Sequence, residues 1–167
     1  MRVFGVTGWK NAGKTGLMER LVREITARGI SVSTVKHAHH SFEVDQPGRD
    51  SYRHREAGAH EVLLASKARI ALMQELRDAP EPDLADLLVR LAPVDLVLIE
   101  GYKRAPHPKV EAYRAAAGNP LIAPDDPSIR AVAADCALEV PRAAPCSVLD
   151  LDDTPAIADF ILREVGL

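Results

Sequence analysis

The sequence predicts an α/β fold with a mostly parallel sheet, and two observations support this prediction. First, short apolar segments alternate along the chain with segments whose apolar residues recur at helical spacing. Second, residues 94–99 are almost continuously apolar, as expected for a strand that is buried on both faces. The chain has 167 residues, 47% of them hydrophobic, so we expect a single domain over residues 1–167 that needs no disulfides.

The first elements follow from β-branched runs and helical periodicity. Residues 2–7 and 31–36 are rich in strand-forming side chains and predict two strands. Between them, residues 14–28 carry apolar side chains on one helical face, and Gly29 supplies a stop signal. This order of strand, helix and strand is typical of parallel sheets flanked by helices.

The middle of the chain predicts an inserted β-hairpin. Residues 60–65 and 69–73 are apolar runs separated by three residues, which favours a hairpin around residues 60–74. Four leucines between positions 84 and 91 then recur at helical spacing. We therefore expect a short helix after the hairpin.

The last third of the chain predicts two more strands and a final helix. Residues 109–113 and 129–133 are strand candidates. Thr154 is the expected cap of the last helix, with Pro155 at its first position.

Charge and composition exclude several classes of protein. The chain has 21 Lys and Arg against 24 Asp and Glu, and its pI near 6.1 offers no general electrostatic reason to bind nucleic acid. No apolar run approaches the ~18 residues of a membrane span, and no targeting segment is evident. Cys136 and Cys146 are too far apart for a C-x-x-C motif. We expect a cytoplasmic protein that binds neither nucleic acid nor membrane.

The strongest chemical signal is a complete G-x-x-x-x-G-K-[ST] motif at residues 8–15. Its residues are Gly8, Trp9, Lys10, Asn11, Ala12, Gly13, Lys14 and Thr15. In this P-loop motif, backbone N–H groups and the helix N-terminus bind phosphates, Lys14 reaches the β- and γ-phosphates, and the Thr15 hydroxyl binds Mg²⁺. A strand is expected before the motif and a helix after it. The sequence therefore predicts a P-loop NTPase-type fold that binds a nucleoside triphosphate with Mg²⁺.

A second acidic group is expected to hold or orient the magnesium. Ligands of parallel sheets bind outside the carboxyl ends of the strands, and Glu100 ends the buried strand while Asp95 precedes it. We assign Glu100 as a catalytic and metal-binding residue and place Asp95 at the far edge. Gly101 is expected to offer its N–H to the terminal phosphate. The alternative is that Glu100 is a solvated acid at a strand end.

Residues 35–51 form the least ordinary stretch, because three histidines follow the second predicted strand. His37, His39 and His40 suggest a site for Zn²⁺ or Ni²⁺, although adjacent side chains of an extended chain point to opposite faces. We favour contact with phosphates or with a partner over a metal site, since no cysteine lies near.

Two acids in the same stretch are candidates for magnesium or water contacts. Asp45 and Asp50 lie where a switch loop would approach the triphosphate, and we assign Asp45 as catalytic and metal-binding. Alternatively, the stretch is a polar surface loop in which Asp50 and Ser51 cap the next helix.

Taken together, these motifs resemble the molybdopterin-guanine dinucleotide biosynthesis protein B family, MobB. The matching segments are the P-loop motif, Lys36-His37-x-His39-His40, Asp45-x-x-Gly48-x-Asp50-Ser51, Ala57-Gly58-Ala59 and Leu98-Ile99-Glu100-Gly101-Tyr102-Lys103. The resemblance spans nearly the whole chain. It implies a homodimeric GTP-binding protein with weak Mg²⁺-dependent GTPase activity. It also implies a partner, the guanylyltransferase MobA, which converts molybdopterin to its guanine dinucleotide.

The resemblance also points to Asp135 as the residue that binds guanine. The common Asn-Lys-x-Asp guanine motif is absent, and residues 129–135 resemble a family segment that ends in Ser-Asp. Asp135 would accept hydrogen bonds from the N1–H and the 2-amino group of guanine. Gly16 stands where many relatives have a second Thr, so its backbone N–H alone is expected to contact phosphate.

Three other functions compete with the GTPase adapter. A small-molecule kinase would use the same loop and close an arginine lid, for which Arg49, Arg53 and Arg55 are candidates. A GTP-dependent metallochaperone would use the three histidines. A pure binding module would use GTP only to set its conformation.

Overall fold

The computed structural model describes residues 1–38, 42–141 and 146–167, which form two compact units. We call Met1–His37 with Leu88–Leu167 the sheet unit, and Ala38–Leu87 the hairpin unit. The elements in chain order are β1 Arg2–Thr7, α1 Lys14–Ala27, β2 Val32–Lys36, α2 Asp50–Glu56, β3 Glu61–Ala65, β4 Ile70–Gln74, α3 Leu84–Leu88, β5 Leu96–Glu100, β6 Lys109–Tyr113, a 3₁₀ turn Ala115–Ala117, β7 Ile129–Ala134, β8 Ser147–Asp150 and α4 Thr154–Val165. The assignment of residues 1–167 to one domain remains a prediction.

The sheet unit contains six strands in the order β2-β5-β1-β6-β7-β8. Every neighbouring pair is parallel, which confirms the predicted α/β fold with a parallel sheet. Because all six strands point the same way, the loops that follow them lie along one edge, which we call the carboxyl edge. Ligands of such sheets bind there.

Helices α1 and α4 cover one face of this sheet. Leu17, Leu21 and Ile25 of α1 and Ile157 and Ile161 of α4 are fully buried in one cluster with residues of the central strands. Full burial of one such aliphatic side chain contributes ~1.5–3 kcal/mol to folding. In the described part of the chain, no helix has the length and apolar character needed to cross a membrane.

The helix starts differ from the predicted caps. Asp153, rather than Thr154, caps α4, because its carboxylate accepts a hydrogen bond from the Ala156 N–H at 3.0 Å. The Thr154 hydroxyl instead accepts a hydrogen bond from Nε of Arg20 at 2.8 Å. Helix α2 begins at Asp50 without a side-chain cap, so Asp50 lies inside the first turn, where a negative charge is favourable.

The predicted hairpin is confirmed in the hairpin unit. Strands β3 and β4 pair antiparallel with Leu63 opposite Leu72, and Ile70 lies two pairs further along, on the same face. These three side chains are 63%, 56% and 71% exposed, respectively, whereas Val62 on the opposite face is buried. The hairpin therefore presents one apolar face, formed by Leu63, Ile70 and Leu72, to solvent.

A short crossover joins β5 to β6 and passes over β1. The two strands flank β1 in the sheet, yet residues 101–108 connect them without a helix. The connection runs so close to the sheet that a Cβ at Gly5 would collide with the imidazole of His107. Both ring nitrogens of His107 are buried and lack a hydrogen-bond partner among the described residues. Burial, helped by the nearby charge of Lys109, lowers the pKa of His107 to about 4.

The buried His107 is expected to make the fold sensitive to acid. Its pKa is about 4 in the folded chain and ~6.5 when unfolded, so between these values only the unfolded chain binds the proton. The neutral imidazole of His107 therefore costs the fold no stability above pH 6.5. As the pH falls to 4, the free energy of unfolding decreases by about 3 kcal/mol. Urea unfolding of wild type and His107→Gln over this range measures the difference. Identical pH profiles would contradict the prediction.

Candidate nucleotide site

The P-loop motif lies at the carboxyl edge, between β1 and α1. Gly8 has φ +138°, and a Cβ there would lie 2.5 Å from the Ala112 carbonyl oxygen of β6. Asn11 also has a positive φ, of 66°. The loop therefore follows the strand–turn–helix context that the motif requires, and its first glycine permits a close approach to the neighbouring strand.

Lys14 points back across this loop. Its Nζ donates a hydrogen bond to the Trp9 carbonyl oxygen at 2.7 Å. Burial lowers the pKa of Lys14; Glu100 opposes this effect, while Lys103 and Lys36 add to it. Lys36 and Lys103 thus lie close enough to Lys14 to act on its charge, with Glu100 as the opposing acid, and this excess of positive charge favours an anionic ligand beside Lys14.

Glu100 and Thr15 form the group of oxygens that the sequence predicts for magnesium. The Thr15 hydroxyl donates a hydrogen bond to Oε1 of Glu100 at 3.3 Å, and Nζ of Lys36 lies 3.5 Å from the same oxygen. The Glu100 side chain is only 12% exposed. Mg²⁺ prefers oxygen ligands, so Thr15 and Glu100 fit this ion, and both side chains would bind it.

Asp95 lies at the opposite edge from this group, as predicted. Its carboxylate accepts hydrogen bonds from the backbone N–H and the hydroxyl of Ser31, at 2.9 and 2.6 Å. These bonds lower the pKa of Asp95. Asp95 therefore ties β5 to the start of β2.

The expected phosphate contact of Gly101 is not supported. Its N–H donates to the Val6 carbonyl oxygen at 3.2 Å, which extends the pairing of β1 with β5 by one residue. A backbone N–H is a single donor, so this bond leaves no N–H for a phosphate.

Asp135 follows β7 at the carboxyl edge, two strands away from the P-loop motif. Its Oδ1 accepts a hydrogen bond from the Ala115 N–H at 2.9 Å, and its Oδ2 lies 3.8 Å from Nη1 of Arg114. The carboxylate is partly exposed, and its Oδ2 retains capacity to accept hydrogen bonds. The structure thus places a carboxylate on the same edge as Lys14, where a base could bind.

Asp45 lies in the hairpin unit and is held by an arginine. Both of its oxygens accept hydrogen bonds from Arg55, at 2.8 and 3.3 Å, and Arg55 also pairs with Glu43 and Glu75. The hydrogen bonds from Arg55 lower the pKa of Asp45. The carboxylate is only 5% exposed. These contacts show a structural role, and a magnesium role for Asp45 stays a prediction.

Of the three histidines at positions 37, 39 and 40, only His37 lies among the described residues. The His37 ring stacks on Tyr102, with ring centroids 4.7 Å apart. The backbone N–H of His37 donates to the Glu100 carbonyl oxygen at 3.0 Å. His39 and His40 lie outside the described residues. Within residues 1–38, 42–141 and 146–167, no cluster of three His, Cys, Asp or Glu side chains is arranged to hold a metal.

The remaining residues of the motif differ in exposure. Lys10, Asn11 and Gly16 are exposed, and Ala12 is buried. Trp9 donates its indole N–H to the Pro120 carbonyl oxygen at 2.8 Å.

Two side chains that line this region, Lys103 and Arg114, were not among the predicted site residues. Nζ of Lys103 lies 3.9 Å from the centre of the Trp9 ring, a cation–π contact, and Arg114 adjoins Gly13. Lys103 belongs to the quoted Glu-Gly-Tyr-Lys segment, so a signal existed for it. Arg114 belongs to no sequence motif. It lies beside Gly13 because β6, which it follows, is the neighbour of β1 in the sheet.

The parallel sheet and the P-loop motif at its carboxyl edge define the class of this protein, which has a nucleotide-binding α/β fold. The model of the family called molybdopterin guanine dinucleotide synthesis protein B matches residues 3–135. The chain belongs to this family.

Relatives and solved structures agree with this assignment. The chain is 41% identical to the molybdopterin-guanine dinucleotide biosynthesis adapter protein of Haemophilus influenzae, over 95% of this chain and 86% of the relative. It is 40% identical to the adapter protein of Escherichia coli, over 96% and 91%. The structure of a MobB homologue from Bacillus stearothermophilus aligns with a TM-score of 0.71 and 32% identity, over 99% of both chains. The Bacillus subtilis MobB structure aligns with 0.77 and 25%, over 99% and 98%.

Proposed function

We propose that this protein binds GTP with Mg²⁺ and serves as an adapter in molybdopterin-guanine dinucleotide biosynthesis. Its partner would be the guanylyltransferase MobA, which acts on molybdopterin in the cytoplasm. The observation that carries the proposal is that Lys14, Thr15 and Glu100 converge at one edge of the sheet in a chain of this family. Relatives from two organisms bear the name of adapter proteins in this biosynthesis.

Each residue at this edge has a separate role in the proposal. Lys14, held by the Trp9 carbonyl in a partly desolvated place, would bind the β- and γ-phosphates. Thr15 and Glu100 would hold the magnesium, which neutralises phosphate charge when bound. The family resemblance implies weak hydrolysis, so we propose that GTP binding, more than turnover, is the working property.

Nucleotide binding and phosphate release test this proposal directly. Calorimetry should show that GTP binds more tightly than ATP in the presence of Mg²⁺. Slow phosphate release with no added acceptor would then support the adapter with weak GTPase activity. Preference for ATP, or release only after a small-molecule acceptor is added, would overturn the proposal in favour of a kinase.

Asp135→Asn is expected to relax the choice between GTP and ATP. A charged hydrogen bond contributes ~1.5–3 kcal/mol, and ~1.4 kcal/mol corresponds to a tenfold change in affinity. Loss of one such bond to guanine should lower the GTP preference roughly ten- to hundredfold. The ratio of the two dissociation constants measures this effect, and Asp86→Asn on exposed helix α3 is the control. An unchanged ratio in Asp135→Asn would remove Asp135 from the base site.

We also propose that the protein is a homodimer, as the family resemblance implies. The apolar face of the hairpin, formed by Leu63, Ile70 and Leu72, supports this proposal, because large exposed apolar faces commonly mark interfaces. Sedimentation should give twice the 18.1 kDa mass of the chain. Leu72→Glu should shift the mass to that of one chain if this face forms the interface.

A further inference from the structure

Arg114 lies between the two parts of the proposed nucleotide site. It directly follows β6, and β6 lies between β1, which leads into the P-loop motif, and β7, which leads to Asp135. Its place at the carboxyl edge therefore follows from the strand order and not from any sequence motif.

The guanidinium of Arg114 lies beside Gly13 on one side and near Asp135 on the other. Its Nε lies 2.9 Å from the point that a Cβ on Gly13 would occupy, so the group rests against the second glycine of the motif. Its Nη1 lies 3.8 Å from Oδ2 of Asp135, and the next residue, Ala115, donates its N–H to Oδ1 of the same carboxylate at 2.9 Å. Ala115 thus holds Oδ1 of Asp135 by a hydrogen bond, and the positive charge of Arg114 faces Oδ2.

Within the part of the chain that the structure describes, this arrangement leaves the guanidinium with unused N–H donors. An arginine carries five N–H donors in a planar fork, and a separation of 3.8 Å is too long for a hydrogen bond. The side chain is 39% exposed. Partly exposed ion pairs contribute little to stability. The pair of Arg114 with Asp135 therefore does not explain why the guanidinium lies against the P-loop motif at Gly13. Its charge and donors are better suited to a ligand that reaches from Gly13 to Asp135.

We propose that Arg114 is a specificity-determining residue that links phosphate binding to base recognition. This inference rests on the proposed function, because it takes GTP as the ligand. The guanidinium orients the Asp135 carboxylate toward the base while its unused N–H groups face the phosphate side of the nucleotide at Gly13. Because Oδ2 of Asp135 lies beyond hydrogen-bond distance from Arg114, it keeps its capacity to accept from guanine.

A double-mutant cycle on base selectivity tests the link. Calorimetry with Mg²⁺ would measure the dissociation constants of GTP and ATP for wild type, Arg114→Ala, Asp135→Asn and the double variant. We expect Arg114→Ala to lower the GTP preference about tenfold, and the double variant to be no less selective than Asp135→Asn alone. Arg130→Ala removes the same charge from an exposed pair with Glu164 and should keep the wild-type ratio.

Each result decides between the possible roles of Arg114. Equal weakening of GTP and ATP binding in Arg114→Ala would indicate phosphate contact alone and overturn the inference, as would additive loss of selectivity in the double variant. Arg114→Gln, which keeps a polar side chain of similar length, repeats the measurement if the alanine variant does not fold. A wild-type protein that does not prefer GTP would refute the proposed function itself, and the inference with it.

Discussion

Lys14→Met is expected to weaken GTP binding by at least about a hundredfold, because each charged hydrogen bond to phosphate contributes ~1.5–3 kcal/mol and Lys14 would make two. Its Nζ already lies across the loop, at 2.7 Å from the Trp9 carbonyl oxygen, and burial lowers its pKa. Methionine keeps an unbranched side chain, one atom shorter, and removes the charge and the donors. Calorimetry with GTP and Mg²⁺ measures the change.

The matched control for this variant lies on the same helix. Arg23→Met removes one positive charge from the outer face of α1, where the side chain is 72% exposed and pairs with Glu19. It should bind GTP as wild type does, since an exposed pair of this kind contributes little. Affinity within a few-fold of wild type in Lys14→Met would place the triphosphate elsewhere.

Lys109→Met is expected to destabilise the fold by about 3 kcal/mol, because a hydrogen bond from a charged group contributes ~1.5–3 kcal/mol and the buried Lys109 makes two short ones. Lys109 is fully buried in β6, and its Nζ donates to the Ala105 carbonyl oxygen at 2.6 Å and to the Ser128 hydroxyl at 2.5 Å. Nζ also lies 3.4 Å from the carboxylate of Asp126. The substitution would remove the donor to the Ala105 carbonyl and the Ser128 hydroxyl, and Asp126 would keep only its hydrogen bonds from Ser128. Urea unfolding at neutral pH measures the loss.

An exposed lysine gives the comparison for this effect. Lys67→Met changes the hairpin turn, where the side chain is exposed, and should alter stability by less than ~0.5 kcal/mol. A loss below ~1 kcal/mol in Lys109→Met would show that the crossover is held by its other contacts. GTP affinity should stay near that of wild type in any Lys109→Met chain that remains folded.

Local features of the site were predictable because they depend on near neighbours in sequence. The P-loop motif needs only the strand before it and the helix after it, and β1 and α1 occupy the predicted places. Glu100 was identified by its position at the end of a buried strand, and its contact with Thr15 agrees with that assignment. The sequence does not distinguish Asp153 from Thr154 as the cap, because both residue types cap helices well; the hydrogen bond from Ala156 to Asp153 and the contact of Thr154 with Arg20 do.

The sequence alone determined the α/β class, the strands around the P-loop motif and the hairpin, since periodicity and β-branched runs are local signals. Only the tertiary structure decided the partners of Gly101, Lys109 and Arg114. Strand order places β1 between β5 and β6, so the Gly101 N–H pairs with β1 and the crossover buries Lys109. The same order places Arg114 between Gly13 and Asp135, residues more than 120 positions apart. The physical reason is that contacts between distant segments depend on how strands neighbour one another, which no local pattern encodes.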